Sequence, residues 1–86
     1  MSVPSGKQPA PGPLARAISA TLRSIMADRR ITARDLAAKA GLSRSYLGKR
    51  LRDEASLTAN DVEAICAALN EDLMTFVTES VRRMRR

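Results

Sequence analysis

The sequence predicts an all-α fold, a compact bundle of five helices behind a flexible N-terminal arm. Three observations carry that expectation. Apolar residues recur at helical spacing in successive segments, while no run of alternating β-branched residues occurs anywhere. Helix-capping residues stand at the starts of those segments. All four prolines (Pro4, Pro9, Pro11, Pro13) lie in the first thirteen residues, with Gly6 and Gly12 among them. A stretch of that composition buries too little apolar surface to offset its chain entropy, so residues 1–13 are expected to form the arm.

The elements follow in order. Leu14, Ile18, Leu22, Ile25 and Met26 give a first helix over about 14–28, with Arg29 and Arg30 suiting the negative end of its dipole. Thr32 caps a second helix over about 33–40, and Asp35 three residues on completes a capping-box pattern. Leu36 is its buried contact, while Ala37 and Ala40 are small where a neighbouring helix passes. Gly41 supplies a left-handed end without a Cβ penalty. Leu42 buries the corner, and Ser43 caps a third helix over about 44–53, anchored by Leu47 and Leu51. Thr58 and Asp61 form another capping-box pattern, opening a fourth helix over 59–69 with Val62, Ile65, Cys66 and Leu69 inside and Asn70 closing it. A fifth helix over about 72–84 places Leu73, Phe76, Val77, Val81 and Met84 on one side, Leu73 and Phe76 as core.

Charge is segregated along the chain. The net charge is +6, but Met1 to Arg52 carries eleven Lys/Arg against two Asp/Glu, and Asp53 to Val81 carries seven acidic residues and no basic one. Arg82, Arg83, Arg85 and Arg86 then restore a basic tip. This division suggests one face turned toward phosphate and another turned elsewhere. The third helix exposes Arg44, Ser45, Tyr46, Gly48, Lys49 and Arg52, a surface suited to a polyanion.

The segment Leu36-Ala37-x-Lys39-Ala40-Gly41-Leu42-Ser43-Arg44-Ser45 resembles the helix-turn-helix of the lambda-repressor-like, Cro/Xre-type DNA-binding proteins. The likeness extends more loosely over about 14–77, leaving 78–86 as a basic helix end for dimerisation or phosphate contacts. It implies a five-helix lambda-repressor-like bundle that lays its third helix in the major groove of double-stranded DNA. Carried onto this chain, it implies base contacts by Arg44, Ser45, Tyr46 and Lys49, Arg44 being suited to bidentate bonding of a guanine. Tyr46 has two readings, packing on a thymine methyl or sugar, or covering the helix pair. Gly48 lets the backbone approach DNA or the neighbouring helix. Phosphate contacts are expected from Thr32, Arg34, Lys39, Ser43, Arg50 and Arg52. The chain departs from the family pattern at Arg50, where many members carry the second apolar anchor. Arg50 is therefore left open among reading bases, gripping phosphate and lying along the surface. Phe76, Val77, Val81 and Met84 are the expected dimerisation residues, pairing two third helices about one DNA turn apart. Lys7 is the arm's only cation, which leaves the arm outside the expected contacts.

Other functions find little support in the residues. The chain has no histidine and one cysteine, Cys66, expected to be a small buried apolar residue. This offers no nucleophile–base pair and no metal set, so neither an enzyme nor a cofactor is expected. Gly41 to Gly48-Lys49 mimics a phosphate-binding loop but has six intervening residues, not four, and Arg50 where Ser or Thr is required. No signal-peptide run or membrane-length apolar segment occurs, and a lone cysteine suits a reducing cytoplasm, at the nucleoid. The chain is too short for a separate ligand-sensing domain, so no small-molecule ligand is expected. The expected function is a transcriptional regulator, a bacterial or phage repressor binding a palindromic operator as a homodimer. The alternative is an antitoxin-like module whose main partner is a protein and whose DNA binding is autoregulatory. A non-specific architectural protein fits poorly with the acidic segment.

Overall fold

The computed structural model describes residues 9–86; the expectations for residues 1–8, Lys7 included, lie outside them. Five helices follow one another: α1 (Pro13–Arg29), α2 (Ala33–Ala40), α3 (Arg44–Leu51), α4 (Ala59–Leu69) and α5 (Leu73–Met84). No strand occurs among the described residues. The all-α, five-helix expectation holds, with boundaries moved by a residue or two.

Three of the four connections share one three-residue design. A left-handed residue comes first, at Arg30 (φ 55°), Gly41 (φ 73°) and Asn70 (φ 56°). The next residue's N–H then bonds back across the helix end, Ile31 to Met26, Leu42 to Ala37 and Glu71 to Cys66, each at 2.9 Å. The third residue caps the following helix: Thr32 accepts from Asp35 N–H, Ser43 from Tyr46 N–H, and Asp72 from Thr75 N–H. Each link thus satisfies carbonyls of one helix and amides of the next. The full capping box forms at Thr58 and Asp61, whereas Thr32 and Asp35 make only its first half.

Several expectations need correction. α1 starts at Pro13 rather than 14, proline's fixed φ and missing N–H being compatible with the first helical position. α3 stops at Leu51 rather than 53, because Asp53 turns left-handed (φ 59°) and Glu54 N–H closes onto Lys49. α5 starts at Leu73, with Asp72 as its cap. Leu14 and Leu73 stand 42% and 43% exposed at the ends of their helices, outside the core. Phe76, expected both in the core and at a dimer face, is 3% exposed and belongs to the core alone.

The core consists of Leu22, Met26, Leu36, Ala37, Leu47, Val62, Ile65, Cys66, Leu69 and Phe76, with Ile18, Ile25, Ile31, Leu42, Leu51 and Leu57 packed against it. α1 lies along α5 in the most extensive helix pairing. Its one polar pair is self-contained: Thr21 donates to the Ala17 carbonyl and accepts from Ser80 at 3.0 Å. α5 runs unbroken through residue 78, and its buried Ser80 is held by α1.

Polar ties fasten the helix ends to α1. Ser19 donates to Asp53 Oδ1 at 2.6 Å, and Arg23 donates to the Leu51 carbonyl at 2.7 Å, fixing the end of α3. Arg29 donates to the Leu69 carbonyl at 2.6 Å and pairs with Glu71 at 2.9 Å, fixing the end of α4.

Two substitutions test the connection design in opposite directions. A Cβ at Gly41 would meet no atom within 4 Å, so Gly41→Ala carries only the left-handed penalty. It should lower stability by about 1 kcal/mol, and Arg30→Gly should raise it by up to about 1 kcal/mol. Thermal melting resolves both, because 1 kcal/mol moves the midpoint of such a domain by roughly 4–8 °C.

Candidate nucleic-acid interface

The two central helices are held by few contacts and expose the rest. On α2, Leu36 and Ala37 are buried and Ala40 is half-buried; on α3, Leu47 is fully buried and Leu51 packs at the edge of the core. Ser43 accepts from Tyr46 N–H at 3.0 Å, and the first amides of α3, at Arg44 and Ser45, have no intrahelical partner. Arg44, Ser45, Lys49 and Arg52 are exposed. Together with Ala33, the residues Arg44, Ser45, Gly48 and Arg52 line a shallow cleft between the start of α2 and the outer face of α3.

The cations fall into two groups. Arg23, Arg29, Arg52 and Arg82 engage carboxylates of Asp53, Glu71, Glu54 and Glu79. Among the described residues no ion pair involves Arg34, Lys39, Arg44 or Lys49, all exposed on α2 and α3. Arg52, expected on phosphate, is exposed but bonds Glu54 at 2.5 Å, and this bond and charge hold the Glu54 carboxyl below its usual range.

Tyr46 and Arg50 point elsewhere. The Tyr46 hydroxyl donates to Asp61 Oδ2 at 2.6 Å, the oxygen that also accepts from Thr58 N–H at 2.9 Å. Arg50 lies over the Tyr46 ring, its guanidinium carbon 3.4 Å from the centroid, and donates to the Tyr46 carbonyl at 3.1 Å. Of the three orientations open to Arg50, the structure has the third, along its own helix. A flat guanidinium on an aromatic ring takes the place of an apolar anchor. Tyr46 is half-buried, its ring under Arg50 and its hydroxyl on α4. Gly48 has no neighbouring helix against it: a Cβ there would meet only the tip of Arg52, at 3.1 Å.

Sequence reasoning missed the ties made by Asp61, Asp53, Ser19, Arg23 and Arg29. Asp61 was visible only as a capping residue; its bond to a tyrosine fifteen positions back leaves no sequence signal. Cys66 is buried, and burial first, then Glu71 and Asp72, pushes its thiol up, away from reactivity. No group of three His, Cys, Asp or Glu among the described residues could hold a metal ion. No helix there is long and apolar enough to cross a membrane.

The family model for the Cro/C1-type helix-turn-helix DNA-binding domain matches residues 21–79. This chain belongs to that family. Two crystal structures of the clp gene regulator ClgR from Corynebacterium glutamicum resemble this Cro/C1-type domain, each at 30% identity. One superposes with a TM-score of 0.75 over 83% of this chain and 92% of its own; the other with 0.77 over 90% and 81%. No curated protein matches. The family assignment makes the outer face of α3 the DNA-binding candidate within a Cro/C1-type domain.

Two measurements check the local chemistry of α3. Gly48→Ala should raise the melting midpoint, by up to about 1 kcal/mol of stability, since alanine is the better helix former and only the mobile Arg52 tip must shift. The Tyr46 phenol is raised above its ordinary value, first by its bond to Asp61, then by burial and the Asp61 charge, with Arg50 opposing. A folded value above the unfolded one means that the bond's contribution is complete below the ordinary phenol range and lost as pH rises through the folded value. Wild-type stability should therefore fall above about pH 10, a loss that Tyr46→Phe removes in pH-dependent denaturant titrations.

Proposed function

We propose that this chain is a sequence-specific DNA-binding regulator of transcription that works as a dimer on a palindromic site. The observation that carries the reading is the outer face of α3, where Arg44, Ser45 and Lys49 stand exposed and outside any ion pair of the described residues, beside the bare backbone of Gly48. The N-terminal part of such a helix meets base edges in the major groove. Arg44 bonds a guanine through O6 and N7, Ser45 donates or accepts, and Lys49 reaches one turn further along.

Thr32, Arg34, Lys39 and Ser43 supply phosphate contacts from α2 and the start of α3, fixing register without reading sequence. Arg52 joins them by exchanging Glu54 for a phosphate oxygen. Tyr46 and Arg50, turned inward, are left out of the contact set. Regulation by site occupancy accords with the family and with the clp gene regulator that the chain resembles. No catalytic step belongs to this reading, and its place of action is the nucleoid.

The dimer surface is a stripe on α5. Leu73, Met74, Val77, Val81 and Met84 recur on one side of that helix, with Met74 72% and Met84 41% exposed. A stripe of this kind buries itself well against its own copy about a two-fold axis, and the axis then sets the half-site spacing at about 34–36 Å.

Selection of bound sequences from a random duplex library, at about 150 mM salt to suppress non-specific binding, tests the reading directly. The expected result is a palindrome with half-sites one turn apart; binding without an enriched motif would refute it. On the selected site, Arg44→Ala should cost about 1–3 kcal/mol and relax discrimination at one base pair. Lys39→Ala should weaken all sequences alike and reduce the salt slope by about one. Competition binding across salt concentrations measures both.

A further inference from the structure

We infer that Tyr46, Arg50 and Asp61 are positioning residues that set the pitch of α3 in the DNA groove, so that sequence discrimination is controlled by a contact facing away from the DNA. The inference rests on the DNA-binding reading above and adds to it residues that touch no base.

The need for such a device comes from the shortness of α3. Eight residues do not hold a helix by themselves, and only Leu47 is fully buried. α3 packs on α2 and α1, and its end is tied to α1 through the Leu51 carbonyl and Asp53. Its backbone stands away from that of α4, with no close approach between their Cα atoms. A helix this short, held at its ends and by one fully buried residue between them, resists tilting more than it resists rolling about its own axis. The Tyr46 side chain bridges the open side, next to Leu47 in sequence, and reaches α4 through its 2.6 Å bond to Asp61.

Each partner in the bridge is itself fixed. Asp61 is buried, and the Thr58 amide holds the same carboxylate oxygen at 2.9 Å. On the other side, Arg50 stacks on the Tyr46 ring and bonds the Tyr46 carbonyl, so the ring is held between a cation and a carboxylate. Arg50 Nε is closed off without a hydrogen-bond partner, as expected of a guanidinium used for its flat face. A small roll of α3 would shift Arg44, Ser45 and Lys49 together. Bidentate base contacts fail on such shifts because hydrogen bonds weaken steeply with angle, whereas attraction to phosphate is nearly indifferent to them.

The test uses the full chain, the selected site and a scrambled duplex, well below the melting midpoint of every variant. Tyr46→Phe should lower affinity for the selected site by about tenfold, the scale of coupling between contacting residues. Affinity for the scrambled duplex and its salt slope should stay unchanged. Asp61→Ala should match that loss, the double variant should lose no more than either single one, and Asp61→Asn should recover part of it. Thr58→Ala, which removes the other half of the capping box, the Thr58 hydroxyl accepting from Asp61 N–H, without touching Tyr46, should destabilise the fold yet keep discrimination. An unchanged affinity ratio in Tyr46→Phe, while Arg44→Ala lowers it, overturns the positioning role and leaves the DNA-binding reading intact. Additive losses also overturn it, because they mean that Tyr46 contacts DNA directly. A wild type that does not discriminate between the duplexes removes both readings.

Discussion

The fold depends on a backbone constraint: each of the first four helices is followed within two residues by one with positive φ. At Arg30, Gly41, Asp53 and Asn70 the chain turns left-handed, and the following amide bonds back to a carbonyl of the helix just ended. Three of these left-handed residues are followed, two positions later, by the cap of the next helix. Reversal and restart thus take three residues, with the polar groups at both helix ends satisfied within the link. This economy lets a chain of 86 residues close a shared core around five short helices. It also fixes the angle between α2 and α3, on which presentation of the outer face of α3 depends.

Side chains finish what the turns begin. Arginines take two distinct roles, separated by whether an acceptor on another element lies within reach. Arg23 and Arg29 close helix ends onto α1, while Arg34 and Arg44, with Lys39 and Lys49, stand outside the described ion pairs on the two helices of the motif. Arg50 belongs to neither set, being folded over Tyr46. The acidic half of the chain serves inward purposes as well, since Asp53, Asp61, Glu71 and Asp72 all engage helix ends or their arginines. Segregation of charge along the sequence therefore marks both a cationic face outside the described ion pairs and a set of internal ties.

Much of this was legible in the residues. The start and end of α2 and α4 follow from Thr32, Gly41, Thr58 and Asn70, because capping and left-handed ends are chemistry of single side chains and their immediate neighbours. The ends of α1 and α3 were harder, since Arg30 and Asp53 adopt φ values that their side chains do not advertise. Leu14 and Leu73 fit the helical period yet stand exposed, because periodicity gives a face of a helix and not how far along it the neighbours extend. Phe76 failed as a dimer residue for the converse reason: α1 is long enough to cover it.

The five helices, the helix-turn-helix and the cations of α3 can be read from the residues alone, because they rest on chemistry within a few positions. Where Tyr46 and Arg50 point depends instead on packing between helices. Their orientation is set by Asp61, fifteen residues beyond Tyr46 on another helix, and a hydrogen bond across that separation exists only once both helices are packed. The same holds for Ser80 with Thr21 and for Asp53 with Ser19. Local chemistry chooses the elements; contacts between distant residues choose which of their faces remain open.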